Sequence, residues 1–344
     1  MKVSWMAAVL MATAVLLAVG CSKSGRAGAS RFKNDGKITG SPSDPPVPFQ
    51  AQWAPSNKYL FRSEITSSSQ LPRQGRDKPD PQESTLGLDY AITVSNVRSN
   101  GGRTLQLEIN SVQFDSMMRQ TPLISYDSLN KVVGTDGNVM AERLEKIIGS
   151  KITFQVSSSN KISNVKGIPE IMNTLYGGGN PRAETLVRRL FTPAFLRHLI
   201  DLIVLPSDPV RINDTWPGQV AVNSGPLTGA LTADVTYTFR GWQVHDDRKC
   251  ALLEFKGTVK SARGSSSSKS ITSNIEKGEI TGKSWFDPEL GMVIESISDQ
   301  AVTSKGSIKW KRAPTNSPPQ NFTSEARQHT NIKLIDVEAV KPSS

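Results

Sequence analysis

The feature that most constrains this chain is a strict alternation. Leu86, Leu88, Tyr90, Ile92 and Val94 are apolar, and small or polar residues stand between them. A period of two sends successive side chains to opposite faces, so the stretch is a half-buried β-strand and not an amphipathic helix. The following Ser99-Asn100-Gly101-Gly102 turns the chain, because Asn and Gly accept the positive φ of a tight hairpin. The return strand carries Leu105, Leu107 and Ile109 and then changes phase to Val112 and Phe114. One extra residue near Asn110, a β-bulge, makes that change.

The plan recurs downstream. Leu231, Ala233, Val235, Tyr237 and Phe239 alternate, His245-Asp246-Asp247-Arg248 turns, and Ala251, Leu253, Phe255 and Val259 return. The return strands read Leu107-Glu108-Ile109 and Leu253-Glu254-Phe255. A shorter hairpin follows each, from Lys151 and from Gly282. Two explanations stay open: a weak internal duplication, or chance likeness between amphipathic strands.

Helical spacing appears between the halves. Met140, Leu144, Ile147 and Ile148 end at Gly149, and Ile171, Met172, Leu175 and Tyr176 follow Pro169. Asn180-Pro181 and Thr192-Pro193 each place a cap before proline at a first helical position and predict helices through Leu205. The second is apolar on most of its circumference, with Phe195, Leu199, Leu202 and Ile203, and is expected to be buried. The fold class is therefore α+β, mainly antiparallel β, with curved sheets from two weakly similar halves and helices packed on one face. The expected divisions are a leader over 1–20, a Gly/Ser/Pro tether over 21–57, a first β-rich half over 58–176, the apolar helical pair over 177–205 and a second β-rich half over 206–344. About 290 residues bury a large core without disulfides.

The amino end carries an address. Between Val3 and Gly20 stand 18 uncharged residues, and Leu17-Ala18-Val19-Gly20-Cys21 closes the apolar run with a small residue and a cysteine. This resembles the lipobox of bacterial lipoproteins. The resemblance implies cleavage between Gly20 and Cys21, a diacylglycerol on the Cys21 thiol and acylation of the new amino group with a chain such as palmitate. An ordinary signal peptide or an uncleaved anchor is the alternative reading of the same residues. Two or three acyl chains hold a protein stably at a membrane, where one is marginal. Ser22 stands where aspartate would favour inner-membrane retention, so the expected location is the outer membrane, facing the periplasm. The remaining cysteine, Cys250, has no partner in a lipidated chain and reads as a buried core thiol.

The formal net charge is +10, and removing the leader takes one lysine and no acid, leaving +9. In an envelope protein that excess points to anionic lipid or cell-wall polymer as a partner. No basic stripe is interleaved with aromatics, and nucleic acid is not expected.

Catalytic signals are sparse. His198 and Asp201 lie one helical turn apart and form half of a triad, but no nucleophile elbow accompanies them. Gly282-Lys283-Ser284 ends like a phosphate loop, yet the glycine required five positions earlier is Lys277. Asp287-Pro288-Glu289-Leu290-Gly291 writes out a turn instead of a carboxylate pair. Two cysteines and three widely spaced histidines suggest no metal cluster and no cofactor.

Lipobox, tether and β-rich body together resemble bacterial envelope lipoproteins whose globular part is a domain of unknown function. The hairpin ending in Phe286 to Gly291 is similar to a recurrent piece of such domains. A looser likeness is to lipoprotein-carrier folds, in which a curved sheet and helices close around an apolar cavity. The expected function is non-catalytic: binding of a lipid or other hydrophobic ligand in a cavity lined by Phe195, Leu199, Leu202 and Ile203. The alternative is a structural component of an envelope complex that holds no ligand, and a hydrolase using His198 and Asp201 is the third.

Overall fold

The computed structural model describes residues 36–74, 76–98, 102–130, 132–133, 138–157, 161–176, 193, 196, 199–200, 204–222, 231–261, 271–310 and 318–339. These contain β1 (Asn57–Arg73), β2 (Arg76–Val97), β3 (Arg103–Met118), β4 (Thr121–Asp127), β5 (Val132–Val133), α1 (Asn138–Lys146), β6 (Lys151–Val156), β7 (Ile162–Lys166) and α2 (Ile168–Tyr176). After them come β8 (Thr215–Val222), β9 (Leu231–His245), β10 (Arg248–Ser261), β11 (Ile271–Asp287), β12 (Met292–Ile308) and β13 (Gln320–Ala339). All thirteen strands join one open, curved antiparallel sheet in the order β5-β4-β3-β2-β1-β13-β12-β11-β10-β9-β8, with β6 and β7 branching from β3.

The alternating stretches form the strands they predict. Leu86, Leu88, Tyr90 and Ile92 of β2 are buried on what we term the inner face. In β3 the partners step from Ile109 to Ser111 as those in β2 step from Tyr90 to Asp89, so Asn110 is the extra residue. The bulge turns Val112 and Phe114 back inward. Asp246 (φ 48) and Asp247 (φ 62) make the β9–β10 turn, and Gly291 (φ 63) the β11–β12 turn. In the latter, Asp287 Oδ1 accepts from the amides of Glu289 and Leu290.

Both halves follow one meander. β1-β2-β3-β6-β7 and β8-β9-β10-β11-β12 have the same pairing sequence, and their registers coincide. Glu108 opposes Lys151 and Leu107 opposes Ile152; in the second half Glu254 opposes Lys283 and Leu253 opposes Ser284. Phe61 opposes Tyr90 as Trp216 opposes Tyr237. Even the ion pairs recur, Lys151 with Glu108 at 3.4 Å and Lys283 with Glu254 at 3.7 Å. The first half differs by an insert, β4, β5 and α1, between its third and fourth strands.

The inner face carries two cores, one per half. The first gathers Phe61, Tyr90, Leu107, Phe114 and Phe154 beneath α1 and α2, and the second gathers Trp216, Tyr237, Phe239, Leu253 and Phe286. A smaller cluster of Cys250, Leu252, Trp285 and Ile294 packs on the outer face. Here one expectation needs correction: residues 36–56 are not free tether. Phe49 packs edge-on against Phe239 and Phe286 in the second core, and Trp53 against Tyr59 in the first. The segment straps across both cores, held by Gln52 N–H to Gly291 O at 2.8 Å. Two large aromatics carry this burial, and the polar average of their neighbours hides it. Most of the expected helical pair over 177–205 lies outside the described residues. Within that range Leu196, Leu199 and Ile200 are buried in the first core and Leu205 in the second.

Candidate functional site

Between the two cores the inner face changes character. Reading across the strands, one row runs Leu88, Ser63, Ile332, Ser296, Ser284, Leu253, and the next runs Leu86, Ile65, Thr330, Ser298, Gly282, Phe255, Tyr237. In both rows β11 and β12 thus present small residues, Ser284, Gly282, Ser296 and Ser298, joined by Thr330 of β13, where β2 and β10 present large ones. The result is a trough. One wall is Phe61 stacked on Tyr90, with centroids 5.5 Å apart; the other is Tyr237 beside Phe255, and Trp216 stacks on Tyr237 from outside the lining at 5.6 Å. The stacked pairs occupy equivalent positions in the two meanders, Phe61 opposite Tyr90 and Trp216 opposite Tyr237.

The floor is made of Ser284, Ser296, Ser298 and Thr330, with Ile280, Val293 and Ile332 around them. Ser284 Oγ and Ser296 Oγ are hydrogen-bonded at 2.9 Å. Gly282 is required here, because a Cβ would lie 2.3 Å from the Phe255 ring, which crosses the strand over it. Leu199 covers the trough and is the one lining residue among those described that does not come from a strand. The enclosed space is about 90 Å³, within about 800 Å³ of unfilled volume that runs on into solvent. That exceeds the roughly 10–15 Å³ a single water needs. No charged side chain lines the cavity among the described residues. Burial pushes the Tyr90 hydroxyl well above its usual pKa, so this wall stays neutral.

Residues 100–293, more than half of the chain, match a family of unknown function, DUF6263. The chain belongs to the DUF6263 family. The match runs from the β2–β3 turn to the start of β12 and includes the Tyr237–Phe255 wall, Leu199 and Ser284. No curated protein sequence matches this DUF6263 chain. Among solved structures it is similar to one described by lipid–protein interactions in lipovitellin, with 13% identity and a TM-score of 0.46 over 85% of this chain. The chain spans about a quarter (26%) of the length of that lipovitellin chain. A DUF1329 family protein from Desulfovibrio piger matches at 9% identity and TM-score 0.14, over 83% of this chain and 88% of its own.

Of the ligand-lining residues expected from sequence, Leu199 lies on the cavity. Phe195, Leu202, Ile203, His198 and Asp201 fall outside the described residues, as do Gly20 and Cys21. The walls and floor of the DUF6263 cavity were missed. Serines alternating with isoleucine in Ser296-Ile297-Ser298 suggest that Ile297 faces the core. Instead Ile297 packs with the outer cluster, and the serines face inward. From the false phosphate loop Gly282-Lys283-Ser284, Ser284 is part of the floor and Lys283 pairs with Glu254 on the opposite face. The usable signal was the likeness of the two halves: Ser284 stands where the first half has Ile152, which is fully buried.

A second polar cluster sits on the outer face. His245 Nε2 lies 2.7 Å from Glu295 Oε2, and the imidazole stacks on Trp285 with centroids 4.0 Å apart. Atoms of His245, Asp246 and Glu295 able to ligate a metal lie within 4.8 Å of one another, a grouping the sequence spacing concealed. A cation already stands among them: Lys333 Nζ is 2.5 Å from Asp246 Oδ2 and 3.2 Å from Glu295 Oε2. This cluster is a compensated ion network joining β9, β12 and β13.

Proposed function

We propose that this DUF6263 protein is a non-catalytic binder of a small hydrophobic ligand, held on the inner face between the two aromatic walls. The observation that carries the reading is the trough itself: large apolar walls, a small-residue floor and a cover supplied by Leu199. Ligand sites are characteristically concave, mostly apolar and provided with a few placed polar groups. The enclosed part seats a chain end or a small ring, and a longer ligand continues into the open part. Among the described residues the lining offers neither an acid nor a base-activated nucleophile, which favours binding over chemistry.

Nile red, a neutral apolar dye, tests this directly. The purified protein is expected to bind it saturably, with a blue-shifted emission. Ser298→Leu fills the floor and should abolish most of that signal while circular dichroism is retained; overpacking costs about 1–3 kcal/mol at most sites. Absence of dye binding by the parent, or equal binding by the variant, sinks the reading.

The proposal also places the protein at the bacterial envelope, anchored by lipid on Cys21 and facing the periplasm from the outer membrane. The lipobox-like Leu17 to Cys21 supports it. Cys21→Ser is expected to shift the chain from the membrane fraction to an uncleaved or soluble form. A variant that stays with membranes and is still trimmed contradicts the anchor.

A further inference from the structure

The strands that build the trough also decide what kind of ligand head it tolerates. Alternation places a charged residue beside many of the lining residues, on the opposite face of the sheet. Arg62 follows Phe61 and pairs with Asp89 outside; Lys333 follows Ile332 and pairs with Asp246 and Glu295; Lys283 precedes Ser284 and pairs with Glu254. Among the described residues, the polar groups lining the trough are the hydroxyls of Ser284, Ser296, Ser298 and Thr330 and of the two wall tyrosines, and the Gln328 amide donates to Thr330 at 3.1 Å. Two of the hydroxyls, on Ser284 and Ser296, bond to one another. Ser63, in the same cross-strand row beside Ile332, is 1% exposed, and its hydroxyl has no hydrogen-bond partner among the described residues.

Resting on the hydrophobic-ligand reading, we propose that the site selects an uncharged, oxygen-bearing ligand: an acyl ester or other neutral lipid, in preference to a free fatty acid anion. A hydroxyl donates one hydrogen bond, which suits a carbonyl or ester oxygen. A carboxylate brought into the trough loses its hydration and finds no cation among the described residues, whose neighbouring lysines and arginine are turned outward and paired. Burying an unpaired charge is far costlier than burying a hydrogen-bonded neutral group. An ammonium head meets the same obstacle with the sign reversed.

The test compares three ligands of equal chain length on the full purified chain at pH 8, each below its micelle concentration: monododecanoyl glycerol, dodecanoate and dodecyltrimethylammonium. Displacement of Nile red is the readout. The monoglyceride is expected to displace the dye at a concentration at least ten-fold lower than either ion. Lowering the pH to 5 should bring dodecanoate toward the monoglyceride and leave the monoglyceride unchanged. Equal or tighter binding of dodecanoate at pH 8 overturns the selectivity and leaves the hydrophobic site standing. If Nile red itself does not bind, the ligand reading fails, and this inference fails with it.

Discussion

At the scale of single residues, the outer-face network has the sharpest consequence. Burial alone would raise the Glu295 carboxyl, but hydrogen bonds from His245 and Asn331 and the Lys333 charge outweigh it and hold the group below its ordinary 4.5. Burial would lower Lys333, and its bonds to Asp246 and Glu295 instead raise it above 10.5. A carboxyl depressed in the folded state adds stability above 4.5 that is lost as pH falls through the folded value. The raised lysine adds stability below 10.5 that is lost as pH rises through its own. Glu295→Gln leaves Lys333 and His245 without their shared partner. Breaking a fully buried pair costs about 3–5 kcal/mol; Lys333, 35% exposed, puts this one nearer 2–3. Urea melts should show that loss at pH 7 and a shrinking gap between parent and variant below pH 4.5. A constant gap across that range would contradict the assignment. Cys250, in the cluster beneath, is unreactive for a related reason: burial first, then Asp287, pushes its thiol up to about 12.

Among the elements, the bulge in β3 is the most informative. Asn110 lets one strand serve the inner face on both sides of a phase change. Deleting it forces Val112 and Phe114 outward or slips the pairing with β2, since a one-residue shift exchanges the faces. Burying such a side chain contributes about 1.5–3 kcal/mol, so the deletion should cost at least about 3 kcal/mol or prevent folding. Thermal melting of the purified variant checks this, and an unchanged midpoint would mean that the bulge is incidental. This element was legible in the sequence because two polar residues, Asn110 and Ser111, separate Ile109 from Val112 where strict alternation allows one. The hairpin turns were legible as well, since Asp246-Asp247 and Gly291 announce positive φ. What could not be read was the pairing of β1 with β13, for which no local pattern exists. Nor could composition reveal that Phe49 and Trp53 tie down a polar segment. The floor stayed hidden because alternation says which residues share a face, not which face is inside. Where both faces are partly buried, as at Cys250 to Leu253, the pattern no longer chooses.

For the molecule as a whole, β13 is the seam. Most neighbouring strands are close in sequence, but β1 meets β13 with Asn57 opposite Ala339. Closing so long a loop precedes any contact that rewards it, and such pairings form slowly. In pulsed hydrogen exchange during refolding, amides of β13 that face β1, within Ala326 to Ile332, are expected to gain protection after those of β9 and β10. Simultaneous protection would show that the halves do not fold ahead of their junction. The two aromatic walls stand on opposite sides of this seam. A molecule lodged between them grips two bodies that become one only at the end of folding, so it acts on the return journey alone. Contacts absent from the transition state slow unfolding and leave the folding rate untouched. An occupied trough would then serve as a latch, lengthening the lifetime of the joined sheet without hastening its assembly.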